Sequence, residues 1–177
     1  MGPTGRTRSG ERGAGGASER PSAWEVAVRA LALRPRTTRE IRELLLRRDG
    51  APEEVEATLA RLARGGYLDD AAYARRYVQS RGPRRALGPA RLRRELSVKG
   101  IADTEIDAAL AELGAEQDPR ELARQAARRK LRSLGGLPPA VARRRLAAYL
   151  ERQGFSVEII LAVCRGAVPG AGQGDTA

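Results

Sequence analysis

Arginine is the residue type whose number and spacing could do chemistry in this sequence. Of 33 basic residues only Lys99 and Lys130 are lysines. Guanidinium groups bind phosphates and carboxylates equally well, so clustered arginines predict a surface for nucleic acid or for an acidic protein face. The candidate binding residues fall into three groups: Arg120, Arg124, Arg128 and Arg132; then Arg81, Arg84, Arg85, Arg91 and Arg94; and finally Arg143 and Arg144.

The spacing of the first group is that of a helix face. Its four arginines recur every four residues, which gives a stripe about 18 Å long at ~1.5 Å per residue. In the second group, Arg81, Arg84 and Arg85 are predicted in the link before the fifth helix, and the others on that helix. The third group is predicted to open the eighth helix. A curved array of helices would present all three groups along one groove.

The net charge favours a polyanionic partner and leaves one alternative open. The formal charge is +11 and the isoelectric point is near 11.1, as in proteins that bind nucleic acid or acidic surfaces. The 22 acidic residues, however, are interspersed with the basic ones, as on an ordinary solvated helix face. A GC-rich genome would also favour arginine over lysine. Both interpretations of the arginine groups therefore stay open at this point.

The sequence contains no constellation of residues for catalysis. It has no histidine, which removes the commonest general base and the commonest metal ligand. Cys164 lies in an apolar run and is interpreted as a core thiol, and Asp69 and Asp70 are interpreted as helix-capping residues. The glycine-rich stretch 13–16 lacks the Lys-Ser/Thr pair of a phosphate loop. We therefore predict a protein that is not an enzyme and that binds no cofactor and no metal.

Helices are the elements that must position the arginines. Aromatic residues make up 3% of the chain, and an apolar fraction rich in Ala and Leu suits packed helices better than a sheet. Capping residues, prolines and glycines divide the chain into nine predicted helices, so the predicted fold class is all-α. The predicted starts are Ser22 with Glu25, Thr37 with Glu40, Pro52, Asp69 or Asp70, Gly88–Pro89, Asp103 or Thr104, Asp118–Pro119, Pro138–Pro139 and Ser156.

An apolar pattern recurs along the chain at a period of roughly 50 residues, which indicates a repeat protein. Leu45 in the first block corresponds to Leu96 in the second and to Leu150 in the third. Units this small must pack on their neighbours. We predict an elongated, curved array of three tandem three-helix repeats. The repeats are placed at 22–68, 69–117 and 118–165, between a disordered basic tail at 1–21 and a disordered tail at 166–177.

Signals for membrane insertion or export are not found in the sequence. No run of about 18 apolar residues could form a membrane span, and the first residues lack the apolar segment of a signal peptide. A single cysteine cannot form an internal disulfide, which fits a reducing compartment. We expect a cytoplasmic protein with no membrane contact.

A helix-turn-helix DNA-binding protein, such as a transcriptional regulator or a nucleoid component, is the alternative that this pattern allows. The second and third predicted helices of each unit are joined by a short glycine-bearing corner, as in such motifs. The same corner occurs in any three-helix bundle. The corner alone therefore does not decide between the two classes of protein.

Several motifs resemble those of the RecX family of RecA regulators and follow the order of that family. The resemblance covers about residues 22–165. Its motifs are Gly66-Tyr67-Leu68-Asp69-Asp70 with Tyr73-Ala74, Tyr77-Val78 and Arg81; Leu87-Gly88-Pro89-Ala90-Arg91-Leu92-Arg93-Arg94-Glu95-Leu96 with Lys99-Gly100-Ile101; Arg36-Thr37-Thr38-Arg39-Glu40-Ile41; and Arg152-Gln153-Gly154-Phe155-Ser156. Two departures are mild: Asp49 aligns with Gly100 of the second repeat, and the first repeat has no apolar partner to Ile101. They bear on local corner geometry only.

The resemblance implies a protein that binds RecA and lodges in the groove of the RecA filament on single-stranded DNA. Proteins of this family restrain strand exchange, ATP hydrolysis and co-protease activity, by blocking filament extension or by promoting disassembly. They act in DNA recombination, DNA repair and the SOS response, and they are not enzymes. We expect direct contact with DNA as well, and a monomer in solution.

Overall fold

The computed structural model describes residues 21–167, and within that stretch the chain forms nine helices and no strand. The helices are α1 (Ala23–Leu33), α2 (Thr38–Leu46), α3 (Pro52–Arg64), α4 (Asp70–Arg85), α5 (Pro89–Val98), α6 (Asp103–Glu116), α7 (Pro119–Leu131), α8 (Pro139–Gln153) and α9 (Val157–Ala167). The predicted all-α repeat fold is confirmed. The predicted tails at 1–21 and 166–177 lie almost entirely outside the described residues, as does the stretch 13–16. Of the helices described, none is both long and apolar enough to cross a membrane.

Side-chain caps start several helices at the residues predicted from the sequence. The Ser22 hydroxyl accepts a hydrogen bond from the Glu25 amide at 3.3 Å, and the Glu25 carboxylate accepts one from the Ser22 amide at 3.1 Å. Asp69 starts α4 by accepting from the Ala72 amide at 2.7 Å. These bonds satisfy amides that the first turn of a helix leaves without an internal partner.

The start of α6 differs from the prediction. Its cap position is Ala102, and Asp103 is already the first helical residue. Ala102 has no side chain that could accept a hydrogen bond, but the Glu105 carboxylate accepts from the Ala102 amide at 3.3 Å. This contact is one half of a capping box, and the helix starts one residue earlier than it would with Asp103 as the cap and two earlier than with Thr104.

The prediction that three arginines lie in the link before α5 is wrong, because α4 extends through them and ends at the last of the three. The three are Arg81, Arg84 and Arg85. The pair Gly82–Pro83 has the form of a stop signal, since proline lacks the amide that a helix interior needs. Packing on α6 overrides it: Gly82 is buried, and a Cβ there would lie 3.0 Å from Cδ2 of Leu113. The helix ends at Arg85, and the next residue, Ala86, has a left-handed φ of 50°.

Each set of three consecutive helices packs around its own cluster of buried side chains. Leu45, Leu96 and Leu150 are 2%, 0% and 0% exposed, one in each cluster, which confirms them as equivalent core residues. Leu110 aligns with Leu59 of the first unit at the same offset of 51 residues, but it is only partly buried against the second cluster, whereas Leu59 is buried in the first. Ala86, at the end of α4, packs into the third cluster and so ties the second unit to the third.

The first and second units are joined at the start of α2. The Thr37 hydroxyl caps α2 by accepting from the Glu40 amide at 3.2 Å, and it also donates to the Lys99 carbonyl at 2.8 Å. The Lys99 ammonium donates to the Glu40 carboxylate at 2.8 Å. Thr37 is completely buried by these contacts. The corner that follows α5 is therefore held on the start of α2 by a backbone carbonyl and a side chain together.

The second and third units are joined in the same way. The Gly88 amide, at the start of α5, donates to the Gln153 carbonyl at 2.8 Å, and Arg91 Nη1 donates to the Gln153 side-chain oxygen at 3.1 Å. The offsets of 51 and 54 residues that align the repeats also relate these positions to those of the first joint. The chain therefore uses one joint geometry twice, with an ion pair in the first joint and a neutral acceptor in the second.

The corner after the second helix of each unit contains one left-handed residue. These residues are Asp49, Gly100 and Gly154, with φ of 60°, 79° and 90°. Asp49 therefore adopts the same left-handed conformation as Gly100, the residue with which it aligns. Aspartate tolerates the left-handed region better than most residues other than glycine.

The ion pair of the first joint is expected to contribute about 1 kcal/mol to the free energy of unfolding at neutral pH. Glu40 and Lys99 side chains are only 20% and 25% exposed. Burial raises the pKa of Glu40, but hydrogen bonds from Lys99 and Arg34 outweigh burial and hold that pKa below its ordinary value of 4.5. The coupling energy is measured with a double-mutant cycle of Glu40→Gln and Lys99→Gln.

The pH dependence of this coupling follows from the direction of the shift. A carboxyl whose pKa is lowered by folding stabilises the fold above its unfolded pKa and stops doing so as the pH falls through the folded value. The coupling should therefore be intact at pH 7, and it should be lost only as the pH falls below the ordinary titration range of glutamate and through the lowered pKa of Glu40. The exposed pair Arg39–Glu43, 52% and 47% exposed, is the control and should couple by only about 0.3–0.5 kcal/mol. Equal coupling in both pairs would contradict the role given to the joint.

Candidate partner and nucleic-acid interface

The arginine stripe on α7 is partly neutralised by carboxylates. Arg124 and Arg128 both bind Glu121, at 3.3 Å and 2.8 Å, and their hydrogen bonds lower the pKa of Glu121. Arg120 binds Glu158 of α9 at 2.8 Å. Arg132, the residue after the helix, is exposed and forms no ion pair with another described residue. Three of the four predicted arginines are therefore engaged at the surface, and one is open to a partner.

The structure brings the end of α4 against α7, and this creates a basic surface that joins two of the sequence groups. Arg129 Nη1 donates to the Arg84 carbonyl at 2.9 Å. A depression of about 330 Å³ next to this contact is lined by Gln125 and by three arginines, two of them on α7 and one directly after it. We call this surface the basic junction, and its residues are Arg84, Arg85, Arg128, Arg129 and Arg132.

Arg129 is the functional candidate that the sequence-based selection missed. The arginines of the stripe recur every four residues, and Arg129 falls outside this spacing because it directly follows Arg128. Its guanidinium is fixed by the carbonyl of Arg84, one of the last carbonyls of α4, which have no partner within the helix. Only the packing of α4 on α7 brings these two residues, 45 apart in sequence, into contact.

Arg81 and Arg91 both have structural partners within the described chain. Both contact the Glu95 carboxylate, at 3.8 Å and 3.1 Å, and the Arg81 guanidinium lies 4.7 Å from the centre of the Tyr77 ring. The Tyr77 hydroxyl donates to the same carboxylate at 2.7 Å, and burial followed by this contact raises the pKa of Tyr77 to about 12. Arg81 therefore connects α4 to α5, whereas Arg91 binds within α5 and reaches the third unit through Gln153. Arg94, by contrast, is exposed and has no ion-pair partner among the described residues.

The third arginine group lies in the second turn of α8 rather than at its opening. Arg143 is half-buried near Cys164, whereas Arg144 is exposed. Burial raises the pKa of the Cys164 thiol, and the charge of Arg143 lowers it by less. Cys164 is 4% exposed within the third core cluster. A buried thiol with a raised pKa matches the interpretation of Cys164 as a core residue.

The third helix of each unit begins with acidic residues. They are Glu53 and Glu54 on α3, Asp103 and Glu105 on α6, and Glu158 on α9. In a helix-turn-helix protein the first residues of the equivalent helix enter the major groove, where they meet phosphates and base edges. Carboxylates at that place repel the DNA backbone.

No three His, Cys, Asp or Glu side chains of residues 21–167 are grouped as ligands for a metal ion.

Three family models match the chain in tandem. They are described as the first, second and third three-helix domains of RecX, and they match residues 23–62, 69–110 and 116–164. Among curated proteins, a regulatory protein RecX from Streptomyces coelicolor is 38% identical over 148 residues, which cover 84% of this chain and 78% of the relative. A regulatory protein RecX from Thermobifida fusca is 34% identical over 165 residues, covering 90% of this chain and 89% of the relative.

Two solved structures with the same fold are RecX proteins. A crystal structure of regulatory protein RecX superposes with a TM-score of 0.73 at 29% identity, and the match covers 80% of this chain and 69% of the other. The crystal structure of RecX from Lactobacillus salivarius has a TM-score of 0.73 at 22% identity, covering 82% and 94% of the two chains. Because its sequence identity is only 22%, the similarity to the Lactobacillus salivarius structure shows the fold alone.

Proposed function

The chain belongs to the RecX family of regulatory proteins, and from this we propose that it binds RecA and the RecA filament on single-stranded DNA. Bound there, it inhibits strand exchange, ATP hydrolysis and co-protease activity in DNA recombination, DNA repair and the SOS response. The observation that carries the proposal is the match of all three RecX domains, in order, to this chain. The proposal places a monomer, without catalytic activity of its own, in the cytoplasm.

The tandem joints support this function physically. Repeats that hold their neighbours through one recurring geometry present several binding faces along a line. A filament offers equivalent binding sites at successive subunits, so a short array can span more than one of them. Binding at such a place stops the growth of the filament or loosens it, with few inhibitor molecules per filament.

The basic junction is the surface that we assign to the filament. Arg85 and Arg132 are exposed and have no ion-pair partner among residues 21–167, so their charges are available to phosphates or carboxylates. Arg94 on α5 and Arg144 on α8 are also exposed and have no ion-pair partner among residues 21–167. We assign these two arginines to the filament-binding surface as well. Arg81 and Arg91 take the structural role described above. The acidic first turns of α3, α6 and α9 speak against the helix-turn-helix alternative.

Charge reversal at Arg85 and Arg132 is expected to weaken binding to the RecA–DNA filament at least about tenfold, a loss of ~1.4 kcal/mol or more. The helical fold should be unchanged, since both side chains are exposed. Binding is measured by co-sedimentation of the Arg85→Glu, Arg132→Glu double variant with RecA, with and without single-stranded DNA.

The matched control reverses the same number of charges elsewhere. Arg48 and Arg64, both exposed in the first unit, are changed to Glu in a second double variant, which should keep its filament binding. Loss on bare DNA alone, with a shallower salt dependence, would assign the junction to phosphates. Loss on free RecA alone would assign it to the protein. Equal binding of both double variants to all partners would remove the junction from the interface.

A further inference from the structure

Aromatic side chains gather where the first unit meets the second. The chain has one Trp, four Tyr and one Phe. Four of these six lie on α1, just before α4 or in the first half of α4, and they form two pairs. The rings of Trp24 and Tyr67 are 6.0 Å apart and perpendicular, and those of Tyr73 and Tyr77 are 6.1 Å apart and nearly parallel. Such a concentration in a chain poor in aromatics marks this place as different from the rest of the surface.

Tyr67 is held in position while most of its side chain stays exposed. The ring lies against Gly65, where a Cβ would come within 2.9 Å of the Tyr67 Cδ2. Trp24 packs edge-on against the ring, and the Arg61 guanidinium lies 3.9 Å from the centre of the Trp24 ring. Even so, Tyr67 is 58% exposed. It is therefore a supported aromatic platform rather than part of the core.

Tyr67 and Tyr73 line an open cleft of about 510 Å³ between the end of α1 and the start of α4. Leu33, which is 82% exposed, forms part of its wall. The volume lies within the range of small-molecule binding sites, which is ~300–1,000 Å³. One unstacked base with its sugar would fit into a space of this size.

Three arginines make the rim of this cleft basic: Arg34, Arg36 and Arg76. Arg34 binds Glu40 at 2.9 Å and Arg36 donates to the Ala30 carbonyl at 3.2 Å, so both guanidiniums are held in place. Arg76 is exposed and has no ion-pair partner in the described part of the chain. Asp69 is the acidic residue of the lining, and its carboxylate caps α4.

We propose that this cleft binds single-stranded nucleic acid, with one base stacked on Tyr67 and the adjoining phosphates against Arg76 and Arg36. An aromatic platform beside a basic rim is the combination that binds single strands without sequence preference. An acidic peptide would use the arginines but would gain little from an open aromatic face. The inference rests on the proposed function, since it gives the single-stranded DNA contact of that function a place on the molecule.

The test measures binding of a fluorescently labelled 20-nucleotide oligo-dT to the full chain without RecA. Tyr67→Ala should weaken binding roughly tenfold, and Tyr67→Phe should retain it, because the stacking face is kept. Arg76→Ala should lower the salt dependence by about one counterion, whereas the matched control Arg152→Ala, exposed on α8, should not. Trp24 gives a second readout: its fluorescence should change on binding in wild type and not in Tyr67→Ala.

The outcomes separate this inference from the proposed function. Wild-type affinity for oligo-dT in Tyr67→Ala, with its helical circular dichroism intact, would overturn the inference. So would a loss of RecA binding by Tyr67→Ala with unchanged oligo-dT binding, which would make the cleft a protein site and leave RecA regulation in place. A third outcome is that Tyr67→Ala loses oligo-dT binding while the wild-type protein does not inhibit RecA. This outcome would support the inference and remove the proposed function.

Discussion

Replacing Gly154 with alanine is expected to lower the free energy of unfolding by about 3 kcal/mol. Two costs add up at this corner. Gly154 has a left-handed φ of 90°, which costs an alanine roughly 1–2 kcal/mol. The new Cβ would also lie 2.6 Å from Cβ and 2.9 Å from Cα of Arg91, so α5 and the corner after α8 must move apart.

Gly136→Ala separates the two costs. Gly136 has a φ of 83°, but no atom lies within 4 Å of the place where its Cβ would be. This control should lose only the conformational part, roughly 1–2 kcal/mol. Both variants are compared in urea titrations followed by circular dichroism. If Gly154→Ala lost no more than Gly136→Ala, the close contact between the second and third units would be contradicted.

Truncation of Leu150 to alanine is expected to cost about 2–5 kcal/mol, because a fully buried leucine leaves a cavity that the core cannot refill. Leu150 is 0% exposed in the third cluster, and its equivalent Leu96 is 0% exposed in the second. Leu96→Ala should therefore fall in the same range.

The matched control is Leu161→Ala on α9, where the side chain is 57% exposed. Its effect should stay within about 0.5 kcal/mol, as for most surface substitutions. A loss below about 1 kcal/mol in Leu150→Ala, measured in a reversible denaturant titration, would mean that this leucine does not anchor the third core.

Helix starts were the most predictable feature of the fold, because their signals are local. Ser22 and Asp69 accept hydrogen bonds from amides three residues ahead, and such spacing can be read directly in a sequence. The repeated apolar pattern was predictable for the same reason, since burial on one helix face sets residue type at each turn. Leu110 shows the limit, because it is only partly buried although Ala109 and Leu113 of the same helix are buried in the core.

Contacts between distant residues could not be predicted from the sequence. The hydrogen bond from the Thr37 hydroxyl to the Lys99 carbonyl joins positions 62 residues apart. No pattern of neighbouring residues in the sequence predicts this bond. The extension of α4 through Gly82–Pro83 depends on packing against Leu113, which outweighs the stop signal. In the arginine groups the spacing on α7 was predictable, but the contact of Arg129 with Arg84 arises only in the folded chain.

The measurement that tests RecA regulation most directly is a titration of the chain at fixed RecA and single-stranded DNA, at two salt concentrations. DNA-stimulated ATP hydrolysis and strand exchange are followed together. We expect inhibition of both at amounts well below that of RecA, because stopping an end or spanning several subunits affects many RecA molecules per bound copy. Inhibition that appears only near saturation of the DNA and weakens steeply with salt would indicate competition by a basic DNA binder. No effect on RecA at any ratio would contradict the proposed function.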